Sequence, residues 1–230
     1  MIPPDVTSPD PLAYAARVVD ALGRALENSS VEYVVALSSI GADKSDGTGP
    51  VLGLHEMEKR LQRISGLNTL LLRAGYFMEN TLAQIGAIRS RGITAGPLRA
   101  DLKLPMIATQ DIGAAAAKAL LTPDFKGCQV RELLGQRDLT MTEAARVIGK
   151  AIGSPSLTYT QLADRDMRPM LLAMGFFPAM AGLLLEMSAG LNSGHMRALE
   201  QRSPRNTTPT SYEAFVAEEL APRYKGEAAA

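Results

Sequence analysis

Val31-Glu32-Tyr33-Val34-Val35-Ala36-Leu37-Ser38-Ser39-Ile40-Gly41 decides how this chain folds. It is a short apolar run that stops on two serines and a glycine, with a helical pattern on each side. A central strand of a parallel sheet reads this way, closed by a small-residue loop at its carboxyl end. Open α/β sheets take their ligands just beyond such ends, so Ser38 and Ser39 are expected on the floor of any site.

Working outward, Asp10-Pro11 reads as a helix start, with Asp as N-cap and Pro in the first turn. Leu12, Ala15, Ala16, Val19, Leu22 and Leu26 then form one apolar stripe. On the other side, Gly41 to Pro50 is a long polar, glycine-rich loop, of the kind that is often functional. A helix from about Val51 to Ile64 follows, with Leu54, Met57, Leu61 and Ile64 on one side and His55, Glu58, Lys59 and Arg63 on the other. Leu67 to Leu72 is the next strand, stopped by Arg73-Ala74-Gly75. Strand, helix, strand is the grammar of a doubly wound sheet.

Tyr76 to Asn80 opens a further helical segment, and Gly92 to Pro97 reads as turns. Pro105 makes any strand at Leu102 to Ala108 short or places it at an edge. Thr109 starts a helix that Asp111 is expected to cap, and Cys128 to Leu134 is another strand. Thr140-Met141-Thr142-Glu143 is a capping box, and Thr210 with Glu213 repeats the pattern. Asp166 to Ala189 reads as two helices joined near Gly175 and Pro178, forming either a packed lid or an apolar wall. The tail from Gly226 onward is expected to fray. The expected organisation is one unit over residues 1–135 and a smaller, mostly helical α/β lobe over 136–225 on the substrate side, whose last strands and helices can return to the main sheet.

Composition narrows the function classes. The 230 residues are 46% hydrophobic and 21% charged, an ordinary globular balance. Formal net charge is zero, which gives no global field for nucleic acid or an anionic membrane. The single cysteine, Cys128, excludes an internal disulfide and a thiolate metal cluster, and its apolar neighbours read as those of a buried thiol. Two distant histidines, His55 and His195, make a histidine-rich metal site unlike this sequence, so no metal is expected. No apolar stretch is long and unbroken enough to suggest a membrane span. The expectation is a cytoplasmic protein. Neither Gly-x-Gly-x-x-Gly after a strand nor a phosphate-binding Gly-Lys-Ser/Thr element occurs.

The order and spacing of several blocks resemble the NmrA-like family of atypical short-chain dehydrogenases/reductases. The blocks are Val31 to Asp43, Leu54-His55-Glu56-Met57-Glu58, and Leu70 to Asn80, followed by Asp111-Ile112-Gly113, Leu139-Thr140 and Thr208-Pro209-Thr210 with Phe215. The block from Arg73 to Asn80 is the most specific. The resemblance implies an α/β fold: a partial doubly wound, Rossmann-like parallel sheet. In relatives the pattern starts roughly 70–80 residues earlier, with the glycine turn. The chain is therefore expected to correspond to the nicotinamide side of the cleft, as an N-terminally truncated form of the fold.

The same resemblance implies NAD(P) as cofactor and an NAD(P)H-dependent oxidoreductase acting on a small carbonyl or quinone. The alternatives are a non-catalytic cofactor-sensing or regulatory protein and an inactive truncated fragment. Short-chain reductases use a Tyr-x-x-x-Lys pair on one helix face, and here Val51 and His55 occupy that spacing. His55 lies where the lysine would reach the nicotinamide ribose. Pro3 and Pro4 shape the loop near the cofactor, and Ser38, Ser39, Gly75, Tyr76 and Phe77 complete the expected cofactor set. Asn80 is expected on the substrate. Arg73 is expected to pair with an acidic neighbour. Expected partners are a small-molecule substrate or a regulatory protein, together with a second copy paired through an exposed sheet edge. Nucleic acid and membrane are not expected partners.

Overall fold

Asp10 caps the first helix as its sequence implies: its carboxylate accepts the Ala13 N–H at 2.9 Å, and the helix α1 runs Pro11–Glu27. In the computed structural model, which describes residues 2–226, the remaining elements follow in chain order. They are β1 (Tyr33–Ser39), α2 (Leu52–Gln62), β2 (Asn68–Ala74), β3 (Tyr76–Phe77), α3 (Ile85–Arg91), β4 (Ile93–Gly96), β5 (Leu104–Ile107) and α4 (Thr109–Leu121). Then come β6 (Cys128–Leu133), β7 (Asp138–Leu139), α5 (Met141–Ala151), β8 (Thr158–Gln161), α6 (Asp164–Ala173), α7 (Pro178–Ser193), α8 (Tyr212–Phe215) and α9 (Ala221–Lys225). The fraying expected beyond Gly226 falls outside the described residues.

The chain divides into two compact units, each assembled from three stretches of chain. The first comprises Met1–Arg73, Ala114–Glu132 and Asp164–Leu199. Its sheet has the order β1-β2-β6. Thr69 N–H donates to Gly127 and Gly75 N–H to Leu133, so the bonds advance together along β2 and β6 and the pair is parallel. On one face, Val19 of α1 and Met57 and Leu61 of α2 meet Ala36 and Leu71 of the sheet, all buried. On the other side of β1, Tyr33 meets Phe125 edge to face at 5.5 Å. This is the βαβ grammar expected from β1 outward, an α/β fold with parallel pairing.

In the same unit, α6 and α7 pack through Leu171, Ala181 and Leu185. The turn Gly49–Val51 packs against α7. Gly49 has φ +58°, and a β-carbon there would lie 2.0 Å from the Leu183 carbonyl oxygen, so no other residue fits.

The second unit comprises Ala74–Gly113, Leu133–Ala163 and Glu200–Ala230. Here several local expectations give way to long-range pairing. Tyr76 and Phe77 form β3, parallel to Met106 and Ile107 of β5, and the expected helical segment starts only after them, at Met78. Ile93–Gly96 is a strand rather than turns, parallel to Thr158–Gln161. The strand at Pro105 is short rather than at an edge: β5 has four residues and is the middle strand of β3-β5-β7. Pro105 faces Asp138 of β7, a strand of only two residues, so its missing N–H leaves at most one ladder bond unmade. The capping box at Thr140 and Glu143 is formed as expected, whereas Ser211, not Thr210, caps α8 through the Ala214 N–H. Thr210 is held instead by Asp111, whose carboxylate accepts both its N–H (3.0 Å) and its hydroxyl (2.7 Å). Asp111 is thus a tether, and Glu79 takes the N–H of Thr109 at the start of α4.

Candidate functional site

In the first unit, the end of β1 is built around a buried carboxylate. Ser38 is buried and donates its hydroxyl to Glu58 Oε1 at 2.6 Å. Arg73, near the end of β2, donates Nε to Oε1 at 3.0 Å and Nη2 to Oε2 at 2.6 Å. Glu58 is 3% exposed. A carboxylate out of water needs such partners, and the bidentate arginine supplies both charge and geometry. The hydrogen bond to Glu58 raises Arg73 above its ordinary value against burial, with the charges of Glu58, Asp43 and Glu132 acting in the same direction.

The loop after β1 starts from this anchor. Ala42 N–H donates to the Ser39 carbonyl at 3.1 Å, and the Ser39 hydroxyl turns onto the Ile40 carbonyl at 3.0 Å. Burial pushes the Asp43 carboxyl up. The Lys44 ammonium, the Asp43 N–H and the charge of Arg73 outweigh it and hold the carboxyl below its usual range. His55 Nδ1 lies 2.8 Å from the Ala42 carbonyl oxygen. A carbonyl only accepts, so Nδ1 carries the proton and the neutral ring has its lone pair on Nε2. The nearest acid, Glu56, is 4.0 Å from Nε2, and the imidazole is 17% exposed. Val51, one helical turn before His55, is buried. Pro3 and Pro4 are exposed and precede a turn in which Asp5 accepts the Thr7 N–H.

The second unit holds the other expected residues. Gly75 is fixed by packing: a β-carbon would lie 2.4 Å from the Pro105 carbonyl oxygen. Tyr76 and Phe77 are half-buried and Asn80 is exposed. Burial pushes the Tyr76 phenol up to about 12, with the Asn80 side chain opposing it. The phenol therefore stays protonated at neutral pH and can donate. Ser38, Ser39 and His55 thus share the first unit with Pro3 and Pro4, while Gly75, Tyr76, Phe77 and Asn80 belong to the second.

The expectation that Arg73 pairs with an acidic neighbour holds, and that neighbour is Glu58. The sequence assigns Glu58 to the polar face of its helix, yet it lies four residues after Leu54 and three before Leu61, and an acid in register with an apolar stripe is the signal of a buried charge. Cys128, expected to be buried, is exposed, because β6 begins at the rim of its sheet. Among the described residues no cluster of His, Cys, Asp and Glu could hold a metal ion, and no helix is long and apolar enough to cross a membrane.

Comparison with known proteins follows the same lines. A family model described as the NmrA-like family matches residues 54–211. Quinone oxidoreductase 2 of Escherichia coli is 29% identical over 173 residues, covering 74% of this chain and 58% of that protein. An NAD(P)H azoreductase of Xenophilus azovorans is 28% identical over 169 residues, again covering 74% and 58%. The chain thus spans under two thirds of the length of both relatives. Among solved structures, an NADPH-dependent quinone oxidoreductase from Escherichia coli complexed with NADPH superposes with a TM-score of 0.72 at 26% identity, covering 96% of this chain and 74% of that one.

Proposed function

The chain belongs to the NmrA-like family, and from that premise we propose that it binds a nicotinamide dinucleotide and reduces a small carbonyl or quinone. The observation that carries this reading is the imidazole at the end of β1. His55, on α2, is tied through Nδ1 to the carbonyl of Ala42 in the loop where an open α/β sheet takes its ligand, and offers Nε2. The likeness to a quinone oxidoreductase and an azoreductase supports the reductase class.

When bound, a reduced nicotinamide supplies a hydride. The chain's residues do the rest. Neutral His55 accepts a ribose hydroxyl at Nε2, and its protonated form donates there. Ser39 and the backbone at Pro3 and Pro4 shape the loop. Calorimetric titration of the folded chain with NADPH and then NADH tests the reading, followed by quinone-dependent oxidation of whichever binds. Saturable binding with turnover is the expected result. Failure of a folded sample to bind either dinucleotide ends it.

A second reading is a cofactor-responsive protein without turnover. It is favoured by buried Val51 at the position where short-chain reductases carry their proton-donating tyrosine. Saturable binding with no oxidation in the presence of quinones selects it.

We also propose that a second copy pairs along β1, which is an edge of its sheet, with no strand beyond it among the described residues. The Glu32 carbonyl accepts from Asn68 and so faces β2. Alternation then turns the N–H and C=O groups of Tyr33, Val35 and Leu37 outward. The strand carries no proline or charge to discourage pairing. Sedimentation equilibrium is expected to show association that Val35→Pro weakens, since that substitution removes an outward donor and leaves the β2 side intact. A monodisperse wild-type monomer across the concentration range excludes this pairing.

A further inference from the structure

We propose that Ser38, Glu58 and Arg73 form a positioning network that sets the imidazole of His55. The inference rests on the reading of His55 as part of a nicotinamide site, but its geometry is independent of turnover. Glu58 sits one turn after His55 on α2 and is nearly inaccessible to water. It binds the penultimate residue of β1 through the Ser38 hydroxyl and the penultimate residue of β2 through the Arg73 guanidinium. Three consecutive elements are therefore joined at one carboxylate.

From Ser38 the connection runs to the imidazole in two hydrogen bonds. Ser39, the next residue, accepts the Ala42 N–H, and the Ala42 carbonyl accepts His55 Nδ1–H. The loop that chooses the tautomer of His55 is thus anchored by the helix that carries His55. The anchor fixes both ends of the imidazole hydrogen bond to one point. Without it, the Ala42 carbonyl is free to drift from Nδ1, and the ring is free to protonate on Nε2 instead. An Nε2 proton would block acceptance of a hydroxyl there. Glu58 and Arg73 do not reach a ligand in this arrangement, because both oxygens of Glu58 are engaged and Ser38 is buried against it. They act through His55.

The test reads the ring directly. The chain has two histidines, so a His195→Gln background leaves His55 as the only imidazole. In that background, nitrogen NMR at neutral pH is expected to show the proton on Nδ1. Ser38→Ala keeps the ion pair and the fold, and is expected to convert His55 to a mixture of tautomers. Glu58→Gln is expected to do the same more strongly. In the turnover assay Ser38→Ala is expected to lower kcat by about tenfold or more, as misplacement of a reacting group does, with dinucleotide affinity changed less. A tautomer unchanged in both variants overturns the network. A tautomer that responds to Ser38→Ala in a chain that oxidises no NADPH retains the network and removes the reductase reading.

Discussion

Arg73→Ala is expected to remove about 3–5 kcal/mol of stability, the loss typical of stripping one partner from a buried ion pair. Its side chain is 11% exposed and that of Glu58 is 4% exposed. The carboxylate left behind keeps one neutral donor, the Ser38 hydroxyl. Water cannot reach Glu58 without opening the packing of Met57 and Leu61 beside it, both fully buried. The pair between Glu27 and Arg60 is the internal control. It is also bidentate, end-on through Nη1 and Nη2 with bonds of 2.8 and 2.6 Å, but its carboxylate is 43% exposed. Solvent screening leaves such a pair little net effect on stability, so Glu27→Gln is expected to shift the midpoint far less than Arg73→Ala. Urea midpoints for the two variants check the contrast. Near-equal losses would mean that water reaches Glu58 after all. The double variant Glu58→Leu with Arg73→Met is expected to regain much of the loss, since apolar replacement of a whole buried pair is often neutral or better.

That contrast also marks how far the sequence could be read. The strand that ends at Ser39, the helix after it and the strand that ends at Ala74 were legible because each carries its own period. The hydrophobic spacing alone places them. Ile93–Gly96 and the two-residue strands were not. Ile93–Gly96 pairs with Thr158–Gln161, some 65 residues later in the chain, and four residues next to glycines carry no detectable alternation. Tyr76–Phe77 and Asp138–Leu139 have two residues each, fewer than one full alternation. Their existence is set by β5 between them, which is a tertiary fact. Caps divided in the same way. Asp10 and Thr140 act on residues three positions away, and both were read correctly. Asp111 acts on Thr210, 99 residues on, so no local pattern could reveal it. At the candidate site the sequence pointed to His55 and to the serines. It did not reveal that Ser38 is engaged by Glu58, because a polar helix face and a buried acid look alike until the facing strands are known.

Above about pH 10 the second unit is expected to lose stability steeply, because three of its tyrosines resist ionisation. Burial pushes Tyr76 from 10.0 up to about 12. Burial also raises Tyr159 and Tyr212, and for each the charge that Tyr76 would carry raises it further, joined at Tyr212 by Glu213. Tyr159 donates to the Leu98 carbonyl at 2.8 Å, a bond that a phenolate cannot make. Tyr212 is 1% exposed and stacks on Phe215. All three favour the neutral phenol in the folded chain. Their contribution is intact below pH 10, where the unfolded chain is protonated too, and is lost as pH rises through the folded values. For Tyr76 alone the displacement from 10 to about 12 corresponds to about 3 kcal/mol. The phenols also repel one another once charged, so the loss is cooperative. Tyrosinate absorbance and circular dichroism recorded on the same alkaline titration give the measurement. The late absorbance rise and the loss of ellipticity are expected to coincide, and Tyr212→Phe is expected to move both to higher pH. Full ionisation of the tyrosines near pH 10 with the ellipticity intact would show that these phenols are open to water.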